Sequence, residues 1–222
     1  MPTLSGMLDT PFPRLHATAP DPLPFATSLH IRAFLLEREA GNLLVYAAPT
    51  VSVAAPAIEA LGGVMHQYLN HWHEAAFGGD GVDAPLAIHM DDRAAAEDSR
   101  PVDETFSDRA RLDGDFEIIA TPGHTPGATA FLWHNGEQRL LFTGDSVYLR
   151  NGEWIAAVLE GSSDRAASSR ASSCCASSSS TCSCRGRRAA SPTPRSPSPR
   201  TPAGASTRSW SVCAEARTTE LS

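Results

Sequence analysis

The sequence predicts an α/β sandwich, α+β in its ordering of elements, with the working loops along one edge of the sheets. Three observations predict it. Short runs of branched and aromatic residues are interspersed with Ala-rich segments that start at Pro or Asp, in mixed rather than strict order. Several of the apolar runs break into loops rich in Gly, Pro, His and Asp, where a strand hands its last side chains to the sheet edge. The patterning then vanishes beyond Gly161.

Taken in order, residues 1–28 read as an N-terminal extension, and the patterned domain is expected over 29–161. The stretch from Leu29 to Tyr46 predicts two strands around a Glu-Ala-Gly turn. Pro56 and the Gly62-Gly63 pair bracket a short helix, "PAIEAL", by the preference for Pro at a helix start and Gly just past its end. A third strand is expected from Val64 to Asn70, with His71-Trp72-His73 directly after it. "APLAIHM" predicts a strand and "DDRAAAED" a helix capped by Asp91 or Asp92. After an acidic linker around Asp103, "DFEIIATPG" predicts a buried strand. "GATAFLW" and "QRLLFTG" follow as a hairpin, because His134-Asn135-Gly136-Glu137 contains the Asn-Gly pair that favours tight turns. A last strand, "EWIAAVLE", ends at Glu160.

Charge divides the chain in two. Residues 1–160 carry nine Arg against twenty-two Asp and Glu, whereas 161–222 carry nine Arg against three acids, so the net charge of -7 combines -13 with +6. An acidic domain lacks the clustered positive charge that tracks nucleic-acid phosphates. No run approaches the ~18 apolar residues of a membrane span, and the N-terminus has no secretory pattern, so a cytoplasmic protein is expected. All five cysteines lie in the second part, which rules out disulfides within the first.

On composition, residues 162–222 are a Ser/Pro/Arg-rich low-complexity tail of the disordered kind. A sharper reading starts from the absence of lysine and the abundance of Ala, Arg, Gly and Pro, which suggest a G/C-rich gene. Ser173-Cys-Cys-Ala-Ser-Ser would then be AGC TGC TGC GCG AGC TCG, and the same bases read two positions on give Leu-Leu-Arg-Glu-Leu. The stretches from Thr181 and from Ala205 likewise become a buried strand and an amphipathic helix. The sequence therefore predicts a slip of reading frame near Ser168 and a domain left incomplete at its C-terminus.

His71, His73, His124 and Asp145 are the candidate metal ligands. Two histidines one residue apart at a strand end can enter one pocket, and neutral imidazole is a preferred zinc ligand. His124 stands in "TPGHTPG", where Gly and Pro fix an irregular loop, and Asp145 follows the strand run "LLFTG". His16, His30, His66, His89 and His134 lie outside any such pattern and are expected to be structural. Trp72 is expected either to wall the pocket or to pack beneath its loop. Gly144-Asp145-Ser146 also matches the serine-esterase block in composition, but it comes too late in the chain and no later histidine serves as base.

"NHWHEAA", "TPGHTPGAT" and "LFTGDSVY", in this order, resemble the metallo-β-lactamase superfamily, whose motifs are a His-x-His-x-Asp-His, a Gly-His-Thr-x-Gly and a Gly-Asp block. The resemblance covers roughly Leu29 to Glu160 and implies an αββα sandwich holding one or two metal ions, usually zinc. It maps His71, His73 and His124 onto three ligands of one metal, and Asp145 onto the carboxylate that often bridges two. Hydrolysis by a metal-activated water of an ester, thioester, lactone or amide-like bond in a small molecule is the implied reaction.

This chain departs from the pattern at Ala75 and Ala76, where the family has Asp and His, and it lacks the family's late histidine, since His134 is its last. One zinc ion is therefore expected, with iron and manganese suited to the same ligand types. Glu74, beside the vacant carboxylate position, is a candidate substitute ligand or general base, its alternative being an exposed acid at a helix start. Two other readings stay open from sequence: an inactive binding or scaffold relative, and a nonfunctional truncated product. Oligomeric state leaves no mark in the sequence.

Overall fold

The computed structural model describes residues 6–23, 26–150, 153–155, 164, 166, 167, 169 and 210–212. Its strands in chain order are β1 (Met7–Asp9), β2 (Leu15–Thr18), β3 (Asp21–Leu23), β4 (Ala26–Ile31), β5 (Phe34–Leu36), β6 (Leu43–Val45), β7 (His66–Tyr68), β8 (Leu86–His89), β9 (Glu104–Phe106), β10 (Ala110–Leu112), β11 (Phe116–Ala120), β12 (Thr129–His134), β13 (Arg139–Phe142), β14 (Tyr148–Arg150), β15 (Glu153–Ile155) and β16 (Trp210–Val212). Two helices have described bounds, α1 (Thr50–Ala60) and α2 (Arg93–Glu97), and Ala166, Ala167 and Ser169 are helical as well. One sheet of seven strands runs β1-β2-β5-β6-β7-β8-β9, and a second of five runs β10-β11-β12-β13-β16.

The two sheets face each other over one aromatic core. Phe34, Leu36, Leu43, Val45 and Tyr68 from the first meet Phe116, Ile118, Phe131, Trp133, Leu140 and Phe142 from the second. Side chains one residue along point the other way, as a strand's period of two requires. Leu35 and Leu44 accordingly pack against Val51, Ala54, Ala57 and Ile58 of α1 on the outer face. Leu69, Leu86 and Ile88 are covered by Ala75, Ala96 of α2 and Val102. The result is the expected α/β sandwich.

Most expected strands are present. The hairpin pairs Leu36 with Leu43, and the β12/β13 hairpin pairs His134 with Arg139, its loop closed by Asn135 Oδ1 accepting the amides of Glu137 and Gln138. Arg38, beyond the end of β5, reaches the start of β11, donating to both oxygens of Asp115 (2.9 and 2.5 Å) and to Asp113 (3.0 Å).

Four differences have physical causes. Helix α1 begins at Thr50 rather than Pro56, so Pro56 lies inside it. The earlier start is fixed from a distance: Asp21 Oδ2 accepts the Thr50 amide (2.9 Å), and Thr50 Oγ1 donates to the Ala19 carbonyl (3.0 Å). Residues read as an extension contain β1 and β2, which pair into the first sheet through β5. The acidic linker around Asp103 carries β9, paired with β8. Asp92 occupies the position before α2 without a side-chain cap bond, its carboxylate being engaged elsewhere. Of the last expected strand, 153–155 are described and 156–160 lie outside the described residues, as does nearly all of the tail.

Candidate metal centre

Three strand ends converge on one rim. From β7 the chain passes through the fully buried Leu69 and Asn70 to His71, which is extended (φ -161°, ψ 167°) before a 3-10 turn over Trp72–Phe77. That turn is pinned by apolar contact, Trp72 and Ala75 lying against Leu69, Leu86 and Ile88. His124 sits between β11 and β12 in a loop closed by Thr121 N–H to the Ala128 carbonyl (2.8 Å) and Gly123 N–H to the Thr125 carbonyl (3.0 Å). Asp145 belongs to a 3-10 turn, Gly144–Ser146, after β13.

The structure brings His71, His73 and His124 together, with one nitrogen of each within 4.8 Å of the others. His73 Nδ1 is 3.2 Å from His124 Nε2. Asp145 Oδ2 lies 3.5 Å from His71 Nε2 and 3.7 Å from His124 Nε2. The Trp72 ring lies 3.8 Å, centroid to centroid, from that of His73.

Asn70 settles which nitrogen of His71 is free. Its Nδ2 donates to the Thr143 carbonyl (3.3 Å), and its Oδ1 accepts the Asp145 amide (3.3 Å), so the oxygen faces His71 Nδ1 at 3.0 Å. An oxygen there requires the proton on Nδ1, leaving a lone pair on Nε2. His71 Nε2 is buried and has no hydrogen-bond partner. A buried nitrogen with an open lone pair, beside two more imidazoles and a carboxylate, fits a borderline-soft cation such as zinc.

Electrostatics agree. Burial works against a charged His71, but Asp145 and Glu74, with Asp92 behind them, outweigh it and raise its pKa above the usual value. Asp145 faces the Nε2 edge of the ring and Glu74 the Nδ1 edge, so the imidazole lies between two carboxylates. Burial and the neighbouring His71 and His124 push His73 down to about 4, which keeps it neutral and able to donate a lone pair at neutral pH.

Glu74 is buried, not exposed. Its Oε2 accepts the Asn70 amide (3.0 Å) and its Oε1 lies 3.5 Å from His71 Nδ1, on the protonated side of that ring. Burial raises its pKa, against the pull of His71 and the Asn70 amide. This carboxylate addresses the back of His71.

Sequence reasoning missed Asn70, Tyr46 and the reach of Asp92. Tyr46, with φ 72°, accepts the Gly144 amide on its hydroxyl (2.7 Å) and so seats the Asp145 turn. Gly144 has φ 51°, and a Cβ there would fall onto the Asn70 side chain. Among the other histidines, His89 contacts the Ser107 carbonyl (2.8 Å) and the Asp91 amide, and His16 lies between Asp9 and Glu37, both away from the cluster.

Comparison with known proteins follows the same lines. The model of the metallo-β-lactamase superfamily matches residues 33–173, more than half of the chain. The chain belongs to the metallo-β-lactamase superfamily. Solved structures with the same fold include a metallo-β-lactamase from Hirschia baltica, 14% identical with a TM-score of 0.53 over 65% of this chain and 72% of that one. The DIM-1 metallo-β-lactamase is 13% identical with a TM-score of 0.60, over 75% of this chain and 80% of its own. No curated protein matches the sequence. Members of this superfamily of hydrolases bind metal ions, and the His71, His73 and His124 group is compatible with such a site. Its usual Asp and His are absent at Ala75 and Ala76, and Ala75 is packed into the apolar cluster.

Proposed function

We propose that this chain is a metal-dependent hydrolase that holds a single zinc ion and opens an ester, thioester, lactone or amide-like bond of a small molecule. The observation that carries the reading is the buried Nε2 of His71, which makes no hydrogen bond and is gathered with His73, His124 and Asp145. A bound ion would supply Lewis acidity, polarising the scissile carbonyl and making water nucleophilic near neutral pH. His71, His73 and His124 would hold it, with Asp145 as the fourth donor or as the acceptor of the water's proton. Its carboxylate is half-exposed and open to an incoming substrate. Asn70 keeps the His71 proton at Nδ1, and Glu74 steadies the same edge of that ring. Ala75, sealed among Leu69, Leu86 and Ile88, offers no second-ion ligand, which supports a mononuclear centre.

No helix among the described residues is long and apolar enough to cross a membrane, and the cytoplasm is the compartment we assign. Metal analysis and turnover of the full chain test the reading. About one zinc per chain is expected, with both metal and hydrolysis lost in His73→Ala. Folded protein that carries no metal and cleaves no generic ester, thioester, lactone or amide overturns it. Iron or manganese in place of zinc would change the ion and leave the ligands standing.

A further inference from the structure

Asp92 is a carboxylate buried to 1% exposure, outside the group of candidate ligands. Its Oδ2 accepts the Trp72 amide (3.1 Å) and the Thr125 hydroxyl (2.6 Å), and its Oδ1 accepts the Gly127 amide (2.8 Å). Trp72 lies between His71 and His73, while Thr125 and Gly127 follow His124. One side chain therefore ties the turn carrying two imidazoles to the loop carrying the third. The fit is close, since a Cβ on Gly127 would stand 2.7 Å from Asp92 Cγ.

Its charge is as telling as its reach. Among the described residues no basic side chain forms an ion pair with Asp92, and the adjacent Arg93 pairs with Glu97 instead (2.8 Å). A buried carboxylate with hydrogen-bond donors but no counter-charge is costly unless a cation comes near. The three histidines mark where that cation belongs.

The geometry points to Asp92 as a positioning residue of the metal centre, setting the spacing between the His71/His73 turn and His124 and supplying negative charge behind them. This rests on the metal-site reading above. Partners that orient ligands in this way are worth about 10- to 100-fold in metal affinity.

Asp92→Asn keeps the shape and removes the charge; whichever way its amide turns, an NH2 faces the Gly127 or the Trp72 amide, and one acceptor is lost. Cobalt(II) titration of the full chain, read by visible absorption, is expected to show affinity about 10- to 100-fold lower in Asp92→Asn, with a shifted ligand-field band at saturation. Thr125→Val, which removes one donor and no charge, is expected to change both readings in the same direction by less, and it carries the test if Asp92→Asn does not fold. A variant that melts earlier yet binds cobalt with wild-type affinity and spectrum makes Asp92 a tie of the fold only, and overturns the inference. Wild-type protein that takes up no cobalt overturns the metal-site reading, and this inference with it.

Discussion

At the scale of single residues, the histidines are held in unequal states, and the inequality is measurable without metal. His73 is depressed to about 4 from the usual 6.5 by burial and by its two histidine neighbours. A base whose folded value lies below its unfolded one contributes stability that is fully present above 6.5 and lost as the pH falls through about 4. Urea midpoints of the metal-free protein across that window are expected to fall more steeply for the wild type than for His73→Gln, which has nothing to protonate. Equal slopes would show that the burial of His73 is relieved before it titrates. His71 has the opposite sign, its raised value giving stability below 6.5 that is lost as the pH climbs through the folded value. The pair therefore separates in one titration.

At the scale of elements, helix α1 offers a direct test of what its interior proline costs. Pro56 is exposed within the helix and supplies no N–H to the Ser52 carbonyl. Proline in a helix interior is about 3 kcal/mol less favourable than alanine, a net figure that already includes its restriction of the unfolded chain. Pro56→Ala is expected to stabilise the fold by up to about 3 kcal/mol in denaturant unfolding. No change would mean that α1 is already bent enough at Pro56 to forgo the bond.

The same helix shows where sequence reading stops. Val51, Ala54, Ala57 and Ile58 have helical spacing, but the Asp21 carboxylate that starts the helix comes from 29 positions earlier. Strands were legible where a period of two or a tight turn wrote them locally, as at Asn135-Gly136. The ligand histidines were legible because their motif is local too. Asn70, Tyr46 and Asp92 were not, because each acts on residues far along the chain: Asn70 on Thr143, Tyr46 on Gly144, Asp92 on Thr125 and Gly127. In the sequence they read as a strand-end amide, an aromatic in a strand and a helix cap.

At the scale of the whole molecule, the second sheet has one finished face. Phe131, Trp133, Leu140 and Phe142 are buried against the first sheet, while the paired Leu132 and Leu141 point outward and keep partial exposure. Of the chain beyond β15, the described Ala166, Ala167 and Ser169 are helical, Ala167 is buried, and Asp164 accepts the Ala166 and Ala167 amides while donating its own to the Gly123 carbonyl. The family match stops at 173, shortly past Ser168. Sequencing the gene across the Ser168 codon is expected to reveal a displaced frame, with the other frame encoding apolar, helix-compatible sequence. An uninterrupted frame in intact relatives that carry the same Ser-rich tail would remove that explanation.

The edge of this sheet is nevertheless occupied. Trp210–Val212 lie parallel to β13, with Leu140 beside Trp210 and Phe142 beside Val212. Ladder bonds are made by peptide groups, and any tripeptide able to extend can make them. A neighbour held through main chain is permissive about which letters supply it, so a substitution over Trp210–Val212 changes the side chains at the border sooner than it changes whether β13 has a strand beside it.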